Sequence, residues 1–128
     1  MKEREIKVLK VEPCKAPEQV MLKNKLEALQ DAVSIGASYR GLIELLSIDD
    51  NICLMFNELG KILDLEPNRN LGFDIICGVL YVVREDEFGN LCSLTDEDVE
   101  KYKKIFADTS KITISEQDRD KLLRIHIL

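Results

Sequence analysis

The sequence predicts an α+β domain, a mostly antiparallel sheet with two or three helices packed on one face. Three observations carry that prediction. Apolar, β-branched runs follow one another across short polar corners of the kind that close hairpins, with no helical crossovers between them. Two stretches, near residues 30 and 100, switch to apolar spacings of three and four. The 128 residues, 45% hydrophobic and 33% charged, suffice for one core and leave no room for a second. With only 6 glycines and 3 prolines, a disordered or collagen-like chain is excluded.

Residues 4–12 are β-branched and partly alternating and read as a first strand, closed by Pro13. Residues 18–23 alternate around Val20 and Leu22 and read as a second. At Asn24 the period changes: Leu26, Leu29 and Val33 form a helical stripe, Asn24 and Glu27 have capping-box spacing, and Gly36 supplies a stop. Residues 39–46 and 52–56 read as a hairpin turning at Asp49, Asp50 and Asn51. Its second arm is apolar enough to be a central strand buried on both faces. Gly60 is expected to be a left-handed turn residue that returns residues 61–63 as a short strand, and residues 64–73 as a loop. Residues 74–83 are the strongest strand signal, with Gly78 marking a bulge or a close approach. Gly89 and Asn90 tip a charged turn that leads into residues 91–94. Thr95 is an N-cap with Asp96, Glu97 and Asp98 at the positive end of the helix dipole and Lys101, Lys103 and Lys104 toward the other end. Val99, Tyr102 and Phe106 form the stripe. Beyond Ser110, Ser115 and Asp118 suggest a cap for a helix through Leu122 and Leu123, whereas residues 123–127 alternate like a strand; the helix is favoured. Residues 1–109 are therefore read as the α+β domain and 110–128 as a C-terminal extension, a helix packed on the same domain.

The formal net charge is -6, and it is unevenly spread: residues 41–100 hold three Lys or Arg against fourteen Asp or Glu. Such a field repels a phosphate backbone, and no basic cluster interleaves with aromatics, so nucleic acid is not an expected partner. A basic host protein or a small polar ligand is. Cys14, Cys53, Cys77 and Cys92 are widely spaced, without a C-x-x-C pair, and there is a single histidine, His126, so no metal site is expected. Cys53 and Cys77 lie in apolar runs and read as buried thiols. The charged start and the lack of a long apolar segment predict no membrane association and a reducing, cytoplasmic setting.

His126 has no neighbour suggesting a nucleophile, and the carboxylate groups at 49–50, 85–87 and 96–98 fall in turns or a helix start. The glycines open no phosphate loop, so no cofactor is expected. What remains is residues 57–74, where Asn57, Lys61, Asn68, Arg69 and Asp74 form a candidate ligand- or partner-binding set. Arg69 is one of three cations in the acidic centre, and its fork suits a carboxylate or phosphate. Turn chemistry, with Arg69 paired to Asp64 or Asp74, accounts for the same residues.

Ile6-Lys7-Val8-Leu9-Lys10-Val11-Glu12-Pro13, Leu26-Glu27-Ala28-Leu29-Gln30, Asn57-Glu58-Leu59-Gly60-Lys61, Pro67-Asn68-Arg69, Asp74-Ile75-Ile76-Cys77-Gly78 and Leu94-Thr95-Asp96-Glu97-Asp98, in this order and spacing, resemble the family known as domain of unknown function 3846 over about residues 5–107. The resemblance implies a small protein of Gram-positive gut bacteria, their phages and conjugative elements, with no assigned activity and no catalytic residue to carry over. Cys77 departs from the smaller residue expected before Gly78, and the tail after Thr109 is additional. The expected function is a small cytoplasmic, non-enzymatic binding or accessory module of phage or mobile-element type. The alternatives are a small-molecule enzyme with a carboxylate-based site and a structural homo-oligomer subunit.

Overall fold

The computed structural model describes residues 4–72, 75–109 and 125–127. Strand β1 (Glu5–Val11) turns Ile6 and Val8 to one side and Leu9 and Val11 to the other, and all four are buried. β2 (Glu18–Lys23) pairs with it antiparallel in an unbroken register from Glu5↔Lys23 to Lys10↔Glu18. After α1 (Leu26–Val33) come β3 (Ile43–Asp49) and β4 (Ile52–Asn57), then β5 (Pro67–Asn70), β6 (Ile75–Cys77), β7 (Leu80–Glu85), β8 (Leu91–Cys92), α2 (Asp96–Ile105) and β9 (Ile125–Ile127). A seven-stranded sheet runs β2-β1-β7-β4-β3-β9 with β8 also on β7, every pair antiparallel; β5 and β6 form a separate ribbon.

The helices do not share one face, which corrects that part of the expected architecture. Leu29, Ala32 and Val33 of α1 pack on Ile6, Val8, Leu45, Met55 and Tyr81. Val99, Tyr102 and Phe106 of α2 pack on Leu9, Val11, Leu54, Leu80 and Val82, joined by Leu71 and Ile76 of the ribbon region. The cause is in the central strands. β1, β4 and β7 bury apolar residues on both of their sides, so a cover on one side would leave the other in water.

Local differences have local causes. Asn24 does not cap α1: the N-cap is Lys25, without a side-chain cap bond. Asn24 is buried instead, its amide donating to Arg4 O (2.8 Å) and its Nδ2 to Leu91 O (3.1 Å), which ties β2 to the β8 turn. Residues 39–42 precede the strand, with Tyr39 and Leu42 about half exposed. Residues 57–65 coil as helical turns and do not return as a strand, with Gly60 N bonding Asn57 O, Leu63 N bonding Leu59 O and Leu65 N bonding Gly60 O. The left-handed residue there is Asp64 (φ 54). Gly60 is needed because a Cβ would stand 2.4 Å from Cys77 O.

The expected loop at 64–73 contains β5, and the long apolar run 74–83 is two strands. Gly78 (φ +89) breaks it, donating its amide to Glu66 O (2.8 Å), so β6 leaves the main sheet for β5 while β7 stays. At the C-terminus, Ile125–Ile127 is strand β9 against β3, within the stretch 123–127 that alternates like a strand; the favoured helix, with Ser115, Asp118, Leu122 and Leu123, lies outside the described residues. The other elements fall where the sequence puts them. Asn51 (φ 63) closes the β3–β4 hairpin. In the α2 capping box Thr95 Oγ1 accepts from Asp98 N (3.0 Å) and Asp98 Oδ2 from Thr95 N (2.9 Å).

Candidate functional site

β5 carries Asn68 and Arg69 at the register shift between Pro67 and Asn70, and both are buried. Arg69 is 0% exposed. Its Nη2 donates to Lys15 O (2.7 Å) and Phe106 O (3.0 Å), and its Nη1 to Asn68 Oδ1 (2.8 Å), with longer contacts to Glu12 O and Thr109 O (3.4 Å each). Asn68 Nδ2 donates to Val11 O (2.7 Å) and Gly78 O (2.8 Å). Burial pushes the Arg69 guanidinium below its usual range, opposed by the charge of Asp108. The two terminal nitrogens of the fork that suggested ligand recognition meet the protein's own carbonyls. The described residues give Arg69 no pairing with Asp64, and Asp74 lies outside them.

Asn57 is also buried: its Oδ1 accepts Leu59 N (2.8 Å), and its amide lies against Gly41. Lys61 is exposed. Lys61 and Asn57 border a hollow of about 330 Å³ between the sheet and the ribbon, with Glu44, Phe56, Ile75 and Cys77. Of the five candidates, then, two share a clasp inside the domain, two border a hollow, and one is not described.

A larger hollow, about 450 Å³, opens at the end of the sheet where the β3–β4 and β7–β8 turns meet. Asp49, Asp50, Glu85, Asp86 and Glu87 line it, and its described lining holds no Lys or Arg. The register Ile52↔Arg84 brings the two turns together, and they are stitched by Glu85 N to Asn51 O (2.8 Å) and Asn51 Nδ2 to Glu85 O (2.9 Å). Asp49 Oδ2 accepts from Lys101 Nζ (2.8 Å) and Tyr102 OH (3.1 Å), and Glu85 Oε1 from the buried Cys53 thiol (3.0 Å). Asp86 Oδ1 accepts the Phe88 and Asn90 amides (2.9 Å each). These turn hydrogen bonds, Asn90 first, hold its carboxyl below the usual range. Phe88 projects at the tip, 83% exposed.

Sequence reasoning identified each of these acids as turn residues but not their convergence, and it passed over Phe88. An aromatic beside Gly89 in a hairpin tip was the available signal. Among the described residues no group of three or more His, Cys, Asp or Glu is placed to hold a metal ion. All four cysteines are free; Cys53 is buried, while Cys77 is only partly so, against expectation. No helix among the described residues is long and apolar enough to cross a membrane.

These features define a small α+β protein with an antiparallel sheet covered on both faces, an internal arginine clasp and one acidic end. Residues 6–107 match the family described as domain of unknown function (DUF3846), and the chain belongs to that family. No curated protein and no solved structure gives a match.

Proposed function

We propose that this chain is a non-enzymatic binding module that docks a basic protein segment, rich in Lys and Arg, on its acidic end. The observation that carries the reading is the convergence of Asp49, Asp50, Glu85, Asp86 and Glu87 around one hollow, with the exposed Phe88 in the same turn as Glu87 and Gly89. Carboxylates steer and pair cations, and an aromatic face adds a cation–π contact. The stitched turns hold the surface in place before binding, which lowers the ordering cost. Asp86 in this hollow is shifted down by the turn amides that it accepts, the reverse of what a general acid requires. Free thiols suit a reducing cytoplasm, and the module fits an accessory role in a phage or mobile element.

The test is fluorescence anisotropy with a labelled Lys/Arg decapeptide. Asp50→Lys with Glu87→Lys should weaken binding at least tenfold and flatten its salt dependence, and separately Phe88→Ala should weaken it about two- to fivefold with the salt dependence kept. A control of equal net charge, Glu18→Lys with Glu100→Lys, should change it less than threefold. Equal weakening by both pairs would show attraction to overall charge alone and would end the assignment.

A further inference from the structure

One side of the sheet ends at β2, and among the described residues no strand pairs with its outer edge. Proteins usually blunt such an edge with a central charge, a proline, a bulge or a covering element. Among the described residues β2 has none of these: its charges, Glu18 and Lys23, sit at the ends, Gln19, Val20, Met21 and Leu22 between them are uncharged, and the register with β1 is unbroken. Both faces of the edge also leave apolar surface uncovered. Met21, opposite Lys7 on the α2 face, is 54% exposed. On the α1 face Val20 and Leu22 are only partly covered, and Leu26, which opens α1 just beyond the strand, is 52% exposed.

The backbone also selects a register for a second copy. Asn24 N donates inward to Arg4 O, so residues 20, 22 and 24 direct their main-chain groups toward β1, and Gln19, Met21 and Lys23 direct theirs outward. A two-fold axis perpendicular to the sheet keeps each face on its own side and pairs residues of equal parity. Centring it on Met21 sets Met21 opposite Met21, Gln19 opposite Lys23 and Val20 opposite Leu22, with no like charges facing. Centring it on Val20 instead puts Pro17, which has no N–H, in a hydrogen-bonding position opposite Lys23.

We propose that β2 is a homodimerisation edge, joined antiparallel to β2 of a second copy about a two-fold axis through Met21, so that one sheet runs through both chains. This stands independently of the acidic-end reading. Sedimentation equilibrium of the full chain should give twice the chain mass at micromolar concentration. Met21→Lys, which sets two ammonium groups face to face at a half-exposed position, should raise the dimer dissociation constant at least tenfold with an unchanged circular dichroism spectrum. In a Cys14→Ser background, Met21→Cys should cross-link to a covalent dimer on mild oxidation, because hydrogen-bonded partners lie about 5.5 Å apart at Cα. A monomer at 0.5 mM would overturn the proposal. So would a dimer that survives Met21→Lys unweakened, or one in which Met21→Cys stays reduced.

Discussion

Replacing Arg69 by Met keeps an unbranched apolar stem and removes every donor. The three short bonds, to Lys15 O (2.7 Å), Asn68 Oδ1 (2.8 Å) and Phe106 O (3.0 Å), are lost together. Each buried acceptor left without a partner costs about 1–3 kcal/mol. Part of that is returned, because the variant no longer buries a guanidinium, whose lowered proton affinity reports its desolvation. The net expectation is a loss of about 3 kcal/mol, a large share of the roughly 5–15 kcal/mol available to a domain of this size. In urea, with a slope of about 1–3 kcal/mol/M, the midpoint should fall by roughly 1–3 M. Arg69→Lys keeps the charge but not the fork, and should lose about half as much. Hydrogen exchange should show the change concentrated at the end of α2, where the Phe106 amide bonds Tyr102 O. A loss below 1 kcal/mol for Arg69→Met, or protection lost evenly over the sheet, would refute the clasp.

Tyr81 gives a pH prediction. Its hydroxyl donates to Ala32 O (2.9 Å), and burial, with a smaller contribution from Glu12, pushes its pKa from 10.0 to about 12. The folded protein therefore keeps a proton that the unfolded chain gives up. The stabilisation is whole below pH 10 and fades as pH rises to 12, by up to about 2–3 kcal/mol. Tyr81→Phe should cost about 1 kcal/mol at pH 7 and reduce the alkaline fall in denaturation midpoint; an unchanged slope would assign that fall to other groups. Gly60→Ala meets Cys77 O at 2.4 Å, a main-chain atom that moves only with β6, and should cost about 2–3 kcal/mol by thermal unfolding. A neutral result would mean that the ribbon shifts freely.

How far the sequence could be read depended on the range of the interaction involved. The limits of β2, the Asn51 turn and the Thr95 capping box rest on contacts within a few residues, and they were legible. Placing the helices on opposite faces needed the two-sided burial of β1, β4 and β7 taken together, although the apolar run of β4 already hinted at it. Residues 67–70 looked like turn chemistry because Pro, Asn and Arg are rare in strands; the Asn68 and Arg69 side chains reach carbonyls as far as 37 to 57 residues away, which no local pattern reveals. The same distance hid the partners of Arg69. The acidic end was visible as charge but not as a place, since its two turns are joined only through the β4–β7 register.

The carbonyls that Arg69 gathers come from near both margins of the family match, Glu12 and Lys15 at one end, Phe106 and Thr109 at the other. One cation thus fastens the segment after β1 to the close of α2. A polypeptide truncated after Ile105 would retain eight of the nine strands among the described residues and all of α2, yet leave that cation facing missing partners. The smallest piece able to fold alone should extend through Thr109, slightly past the matched segment, and a deletion series scored for cooperative melting would locate that limit.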